Sequence, residues 1–297
     1  MEVGIQRANA IGPMARYRIG IDLGTTNCAL ASIPATDNDA HSTVLDIPQQ
    51  ETAHSSAAHS TLPSFLYLPA EAKEKSWITG QWARSRSGEV PGRVISSAKS
   101  WLVHHAADRR ARFLPLGTAD IAAEDQLSPL QALSTLLRDL AQAWNAAHPD
   151  APLANQDLAI TVPASFDPAS QQLTLEAAKE AGYPESTILL EEPQAAFYAW
   201  MENNPDGLAS LVVEDRKSHV LVVDIGGGTT DFSLFAIDPV QESGLPGLHR
   251  IAVSDHLLLG GDNLDLALAH FLEQRLVPGG QLPAGTFAQL VSRSREI

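Results

Sequence analysis

The chain has a single cysteine, Cys28, in 297 residues. That excludes an intramolecular disulfide and a cysteine-rich zinc site. Basic residues are also scarce. Lys and Arg number 20 against 35 Asp and Glu, a formal net charge of −15. A general nucleic-acid binder needs a basic stripe, and docking on anionic lipid needs a basic face, so neither partner is expected. Long hydrophobic runs are missing: no stretch approaches the length of a membrane span, and the start of the chain lacks the apolar core of a signal peptide. A soluble cytoplasmic protein is the expectation, with residues 1–16 as a flexible leader. No Gly-Lys pair occurs anywhere, which excludes a Walker A phosphate loop.

What is present is enough apolar material for a sizeable core: 44% of residues are hydrophobic and only 19% are charged. The length suits one large domain or two lobes. "YRIGID" (17–22) and "NCALASI" (27–33) alternate and predict a β-hairpin. Residues 34–61, rich in Ala, Ser, Thr, His and Asp, predict an exposed, partly disordered loop. "SFLYL" (64–68) predicts a strand, and 91–105 a short helix or irregular segment. Residues 128–148 predict an amphipathic helix capped by Ser128, with Pro129 in its first turn. Its apolar face carries Leu130, Leu133, Leu136, Leu137, Leu140 and Trp144. "DLAITVP" (157–163) reads as a buried strand. A helix follows over 167–182, capped by Asp167 and stopped by Gly182. "TILLEEP" (187–193) is a short strand running into a helix at Pro193. "HVLVVDI" (219–225) reads as a central strand, "DFSLFAI" (231–237) and "HRIAVSDH" (249–256) as its successors, and 263–276 as a helix. Hairpins followed by helices predict an α/β protein with mixed sheets and antiparallel edges.

Two glycine turns carry the chemistry. In "VVDIGGGTTDFSLFAI" (222–237) the glycines could form a plain turn or a phosphate site. A dinucleotide fingerprint would open a helix, but here a period-two strand follows. Gly226, Gly227 and Gly228 therefore form the tip of a β-hairpin, where backbone amides can approach an anion. Thr229 and Thr230 add hydroxyl groups, and Asp224 and Asp231 could hold Mg²⁺ or its waters beside a phosphate. The turn Asp22-Leu23-Gly24-Thr25-Thr26 repeats the pattern. Two such hairpins imply an internal duplication, with each lobe presenting one loop to a shared cleft.

These two motifs resemble the phosphate motifs of the actin, hexokinase and heat-shock chaperone superfamily, and within it the seventy-kilodalton heat-shock proteins. "AITVPASFDPASQQLTLEAAKEAG", "ILLEEPQAAFYAW" and "SDHLLLGGDNLD" resemble further segments of that family, so the similarity runs from Tyr17 to Leu276. The resemblance implies an actin-like ATPase fold with two ribonuclease H-like lobes, lobe I over 17–210 and part of lobe II over 211–297. It implies ATP/ADP and Mg²⁺ as ligands. Asp22 and Asp224 would hold the metal through water. Gly24, Thr25, Thr26, Gly226, Gly227, Gly228 and Thr229 would contact the phosphates, with Gly260 and Gly261 close to the nucleotide. Glu192 would orient or deprotonate the attacking water, aided by Thr229, with Asp231 assisting at the metal and Lys99 stabilising charge on the γ-phosphate.

The local readings are plainer: Glu191 and Glu192 as two carboxylates at a helix N-terminus, Lys99 as a surface lysine. Cys28 reads as a packed residue, as do Phe197 and Trp200. His54, His59, His104 and His105 read as solvated. Where the family usually carries an arginine after Pro163, this chain has Gln171, so a proline–arginine relay is not expected. The second lobe is expected to be incomplete, with no substrate-binding domain in this chain. Hydrolysis of ATP to drive binding and release of unfolded polypeptide, with co-chaperones in the full-length protein, is the function implied. A small-molecule kinase of the same superfamily and a nucleotide-sensing scaffold without useful turnover are the alternatives.

Overall fold

The computed structural model describes residues 15–37, 40–70, 76–104, 107–204, 207, 211, 218–240, 246–254, 257 and 259–295. The remainder, including residues 1–14 of the expected leader and His105, lies outside the described residues. Arg16 is already engaged: its backbone N–H donates to Gln156 Oε1 (2.9 Å), and its guanidinium to the Asp150 carbonyl (3.3 Å).

The first sheet is built on β1 (Tyr17–Leu23) and β2 (Asn27–Pro34), an antiparallel hairpin pairing Leu23 with Cys28. On the other side of β1 lies β10 (Asp157–Val162), parallel, and beyond it β11 (Ile188–Glu191), also parallel. The short β3 (Thr43–Val44) and β6 (Leu62–Pro63) pair with β2. Alternation decides which face is inside: Ile19, Ile21, Leu23, Leu158, Ile160 and Val162 all point into one core. That core is covered by α2 (Pro129–Ala147) and α3 (Pro168–Glu180).

Helix α2 begins where the sequence predicts, with a reciprocal capping box. Ser128 Oγ accepts from Gln131 N–H, and Gln131 Oε1 accepts from Ser128 N–H, both at 3.1 Å. Its six predicted apolar residues are all buried, each burial worth about 1.5–3 kcal/mol. Trp144 also satisfies its indole N–H on the Ala151 carbonyl (2.8 Å). Asp167 caps α3 by accepting from Ser170 N–H (2.6 Å).

Residues 34–61 are not simply an exposed loop. Besides β3 they hold a hairpin of β4 (Ile47–Gln50) and β5 (Ser56–His59). Ile47 and Gln49 face inward. Gln49 tolerates burial because its amide donates to the Thr61 carbonyl (2.9 Å) and accepts from Gln81 N–H (3.0 Å). One apolar anchor and one satisfied amide suffice, so composition alone conceals the element. His59 at its end faces Glu51, Nε2 to Oε1 at 3.0 Å, while His54 is exposed in the turn. A small third sheet carries β8 (Ile78–Thr79), β7 (Phe65–Tyr67) and β9 (Val94–Ser96) in that order, with α1 (Gln81–Arg86) packed on it. The 91–105 stretch is thus irregular with one short strand, and a 3-10 turn over Ala98–Leu102.

The second lobe holds β12 (Ser218–Ile225), β13 (Thr230–Val240) and β14 (Pro246–Val253), all antiparallel, followed by α5 (Gly261–Leu276) and α6 (Ala284–Ser294). Among the described residues β12 is an edge strand, not the central one its sequence suggests. β13 takes the centre, with Ser233, Phe235 and Ile237 buried. The end of the chain packs back on the earlier sheets: Ser292 Oγ of α6 lies 3.4 Å from Ser87 Oγ, and the guanidinium of Arg295, just past α6, 5.8 Å from the Phe65 ring centre. Phe197 is buried as expected, but Trp200 on the same helix is 39% exposed, so only the first is a core residue. Among the described residues no helix is long and apolar enough to cross a membrane.

Candidate active site

Each glycine turn closes a hairpin, and the two tips meet. The first tip, Gly24–Thr26, joins β1 to β2. The second, Gly226–Thr229, joins β12 to β13 and is closed by Gly226 N–H donating to the Thr229 carbonyl (2.8 Å). A Cβ on Gly227 would collide with Thr26 Oγ1, and one on Gly228 would sit 3.6 Å from Thr25 Cγ2. The middle glycine is therefore a close-approach position: any side chain there would displace Thr26. Gly260 and Gly261 back the second tip. Gly261 N–H donates to the Gly226 carbonyl (3.0 Å) and Asp262 N–H to the Gly227 carbonyl (2.7 Å). A Cβ on Gly260 would lie 2.6 and 2.7 Å from the Gly227 and Gly226 carbonyl oxygens. The N-terminus of α5 thus grips the hairpin.

Four carboxylates and one ammonium surround the tips. Asp22, the penultimate residue of β1, accepts from Thr161 Oγ1 of β10 at 2.9 Å. Asp224 and Asp231 sit directly opposite one another across the second hairpin. Asp231 is buried. Burial, then the Asp231 charge, push the Asp224 carboxyl above the usual carboxylate range, with Lys99 pulling it back. Lys99, in the 3-10 turn after β9, is only 5% exposed and forms an ion pair with Glu192, the first residue of α4 (Glu192–Asn203). The face of Phe166 lies 5.7 Å from its ammonium. Lys99 is not a surface lysine. Burial also raises the Glu192 carboxyl; Lys99 offsets part of this, and the charges of Asp22 and Asp224 add to it.

The local reading of Glu191 and Glu192 as matched helix-end carboxylates fails on partners: Glu192 turns inward to Lys99, whereas Glu191 pairs with Arg250 of β14. Thr229 sits half-buried at the second tip. Thr230, by contrast, spends its hydroxyl on the Leu259 carbonyl (2.6 Å) and is structural.

Sequence reasoning missed Thr161, Ser64 and Arg250. Ser64 Oγ donates to the Gly24 carbonyl (2.7 Å) and its N–H to the Thr26 carbonyl (2.9 Å). Only Thr161 had a local signal, as a polar residue on the outer side of a buried strand.

A family comparison decides the ancestry. The Hsp70 protein family model matches residues 18–279. The chain belongs to the Hsp70 family. Similar proteins include the chaperone protein HscA of Photorhabdus laumondii, 29% identical over 293 residues, covering 95% of this chain and 42% of that protein. HscA of Edwardsiella ictaluri is 31% identical over 273 residues, covering 88% of this chain and 38% of its own length. This Hsp70-family chain thus spans about two fifths of the length of the curated relatives it matches. Its fold is the actin-like ATPase fold, and the match favours the chaperone reading over the small-molecule-kinase alternative.

The residues around the tips fit Mg²⁺. Asp22, Glu192, Asp224 and Asp231 against Lys99 give a formal charge of −3, in hard oxygen donors that suit a hard cation. Among the described residues no three His, Cys, Asp or Glu side chains cluster as a ready-made ligand set.

Proposed function

We infer that this chain holds Mg-ATP between its two hairpin tips and hydrolyses it to ADP and phosphate. The observation that carries this reading is the buried Lys99–Glu192 pair, set where both hairpins converge. A structural ion pair has no need of two further carboxylates, Asp22 and Asp224, within reach of it. Family membership supports the same reading.

In this reading Gly24, Thr25 and Thr26 present amides and hydroxyls to the β- and γ-phosphates from one side. Gly226, Gly227, Gly228 and Thr229 do so from the other, with Gly260 and Gly261 holding that tip in place. Mg²⁺, when bound, supplies charge neutralisation on the phosphates, and Asp22 and Asp224 hold it through its waters, with Asp231 beside them. Lys99 brings positive charge to the γ-phosphate. Glu192 orients the attacking water and accepts its proton on Oε1 or Oε2. Its raised affinity for a proton suits a base that must work near neutral pH. Thr161 holds the Asp22 carboxylate in one orientation.

For the longer protein we infer coupling of this cycle to binding and release of unfolded polypeptide, with co-chaperone partners, in the cytoplasm. The relatives' name, chaperone protein HscA, supports that extension. Calorimetry with Mg-ATP and a phosphate-release assay test the core reading. Wild-type chain should bind Mg-ATP, and Glu192→Ala should retain binding while losing about 100-fold or more in turnover, as expected for a general base. Unchanged turnover would remove Glu192 from the mechanism, and absent binding would remove the nucleotide reading.

A further inference from the structure

Ser64 is buried (2% exposed), polar, and absent from the chemistry above, yet it bonds the first phosphate turn twice and touches Cys28 in the strand that follows. Its hydroxyl donates to the Gly24 carbonyl (2.7 Å), its backbone N–H donates to the Thr26 carbonyl (2.9 Å), and its oxygen lies 3.3 Å from Cys28 Sγ. It therefore ties both ends of the Gly24–Thr26 tip. Its place in the chain matters as much. Leu62 and Pro63 before it pair with Cys28 and Asn27 of the first hairpin, and Phe65 after it pairs with Ser96 of β9. Ser96 leads into the turn that carries Lys99. That turn starts at Ser97, the one described non-glycine residue at positive φ (54°), which is a constrained geometry. Ser64 is thus the point where the sheet of the phosphate hairpin passes into the sheet that delivers the lysine.

We propose that Ser64 is a positioning residue that sets the phosphate turn and the Lys99 turn in register with each other. This rests on the nucleotide reading for its consequence, but its geometry can be tested without nucleotide. The Gly24 carbonyl has two donors, the Ser64 hydroxyl and the Cys28 thiol at 3.9 Å. A thiol is a weak donor, so the hydroxyl carries the constraint.

Hydrogen–deuterium exchange on the nucleotide-free chain supplies the first arm. In Ser64→Ala the amides of 24–27 and of 97–100 should both exchange about tenfold faster, the loss of one buried hydrogen bond, while those of β10 and β11 stay as in wild type. Cys28→Ala, which opens a similar space beside the same turn but keeps the hydroxyl, should leave the 97–100 amides unchanged. Acceleration confined to 24–27, or the same two-turn response in Cys28→Ala, would overturn the proposal in favour of simple packing. If the alanine variant does not fold, Ser64→Cys, with a weaker donor of similar size, should give a milder two-turn response, and no response there overturns it equally.

Calorimetry supplies the second arm: Mg-ATP affinity should fall about tenfold in Ser64→Ala and stay within about twofold in Cys28→Ala. Wild-type protein that binds no Mg-ATP would sink the nucleotide reading alone, leaving exchange to decide the role of Ser64. Binding by wild type with equal affinity in Ser64→Ala would sink the Ser64 proposal alone.

Discussion

Replacing Lys99 by methionine tests whether the ion pair at the centre of the site is buried in the energetic sense. The ammonium side chain is 5% exposed and its Glu192 partner 20%. Removing one member of a buried pair leaves a charge without compensation, which costs about 3–5 kcal/mol when the charge cannot escape. Glu192 has an escape, because it can take a proton. Its carboxyl already lies above the ordinary carboxylate value through burial, and loss of Lys99 removes the main opposing influence. The sign follows from linkage. A carboxyl with a raised folded-state pKa binds more protons when folded, so its contribution to stability is complete below the unfolded value. That contribution is lost as pH rises through the folded value. Lys99→Met should therefore cost little near pH 4.5 and about 3 kcal/mol at pH 8, a fall of about 5 °C in Tm for a chain of 297 residues. Thermal melts of both proteins by circular dichroism at pH 4.5, 6 and 8 read the difference directly. Lys99→Met/Glu192→Leu should recover most of the loss at pH 8, since no lone charge remains. An unchanged Tm at pH 8 would mean that the pair is solvated, and burial would no longer single it out for catalysis.

Two further outcomes follow from geometry. Gly260→Ala should destabilise the second lobe by about 1–3 kcal/mol, because its methyl would press on two backbone carbonyls that cannot rotate aside; a wild-type melt would show that α5 does not grip the hairpin. The Cys28 thiol, fully buried and pushed up to about 11 chiefly by burial, should resist iodoacetamide in the native chain at pH 8 and react after unfolding, so rapid native labelling would contradict the packing of the first hairpin.

The features legible in the sequence were local. Helix α2 announced itself by cap, proline and apolar spacing, and each hairpin by a glycine turn between period-two strands. The partners of those turns were not legible, because they come from far along the chain. Ser64 is 40 residues from Gly24, and Thr161 is 139 from Asp22. No spacing rule reaches that far. Lys99 shows the same limit from another side. Its own surroundings in sequence suit an exposed lysine, and only family resemblance singled it out. Its burial depends on β9 pairing with β7 and on α4 presenting Glu192, both long-range events. The β4–β5 hairpin was hidden for the opposite reason. Its burial rests on Gln49, a residue type that composition assigns to the surface. In β12 the misreading came from residue type. Leu221, Val223 and Ile225 alternate with Val220 and Val222, so both faces are apolar, the mark of a strand covered on both sides. The described residues cover only one of them, and Ile225 is 72% exposed.

The second hairpin contains a placement that folding alone would disfavour. Asp224 and Asp231 face each other across an antiparallel pair, where like charges are destabilising, and Asp231 is buried as well. Asp22 and Glu192 add two more negative charges to the same neighbourhood, and Lys99 pairs with Glu192 among them. Local rules broken together in one place belong to a site that is completed by something positive. The hairpin tips supply the complementary half, since their amides and hydroxyls favour an anion. A fold that sets a surplus of negative charge beside two anion-binding turns presents, in one place, the two preferences that a metal-bound phosphate satisfies together and that neither a free cation nor a free anion satisfies alone.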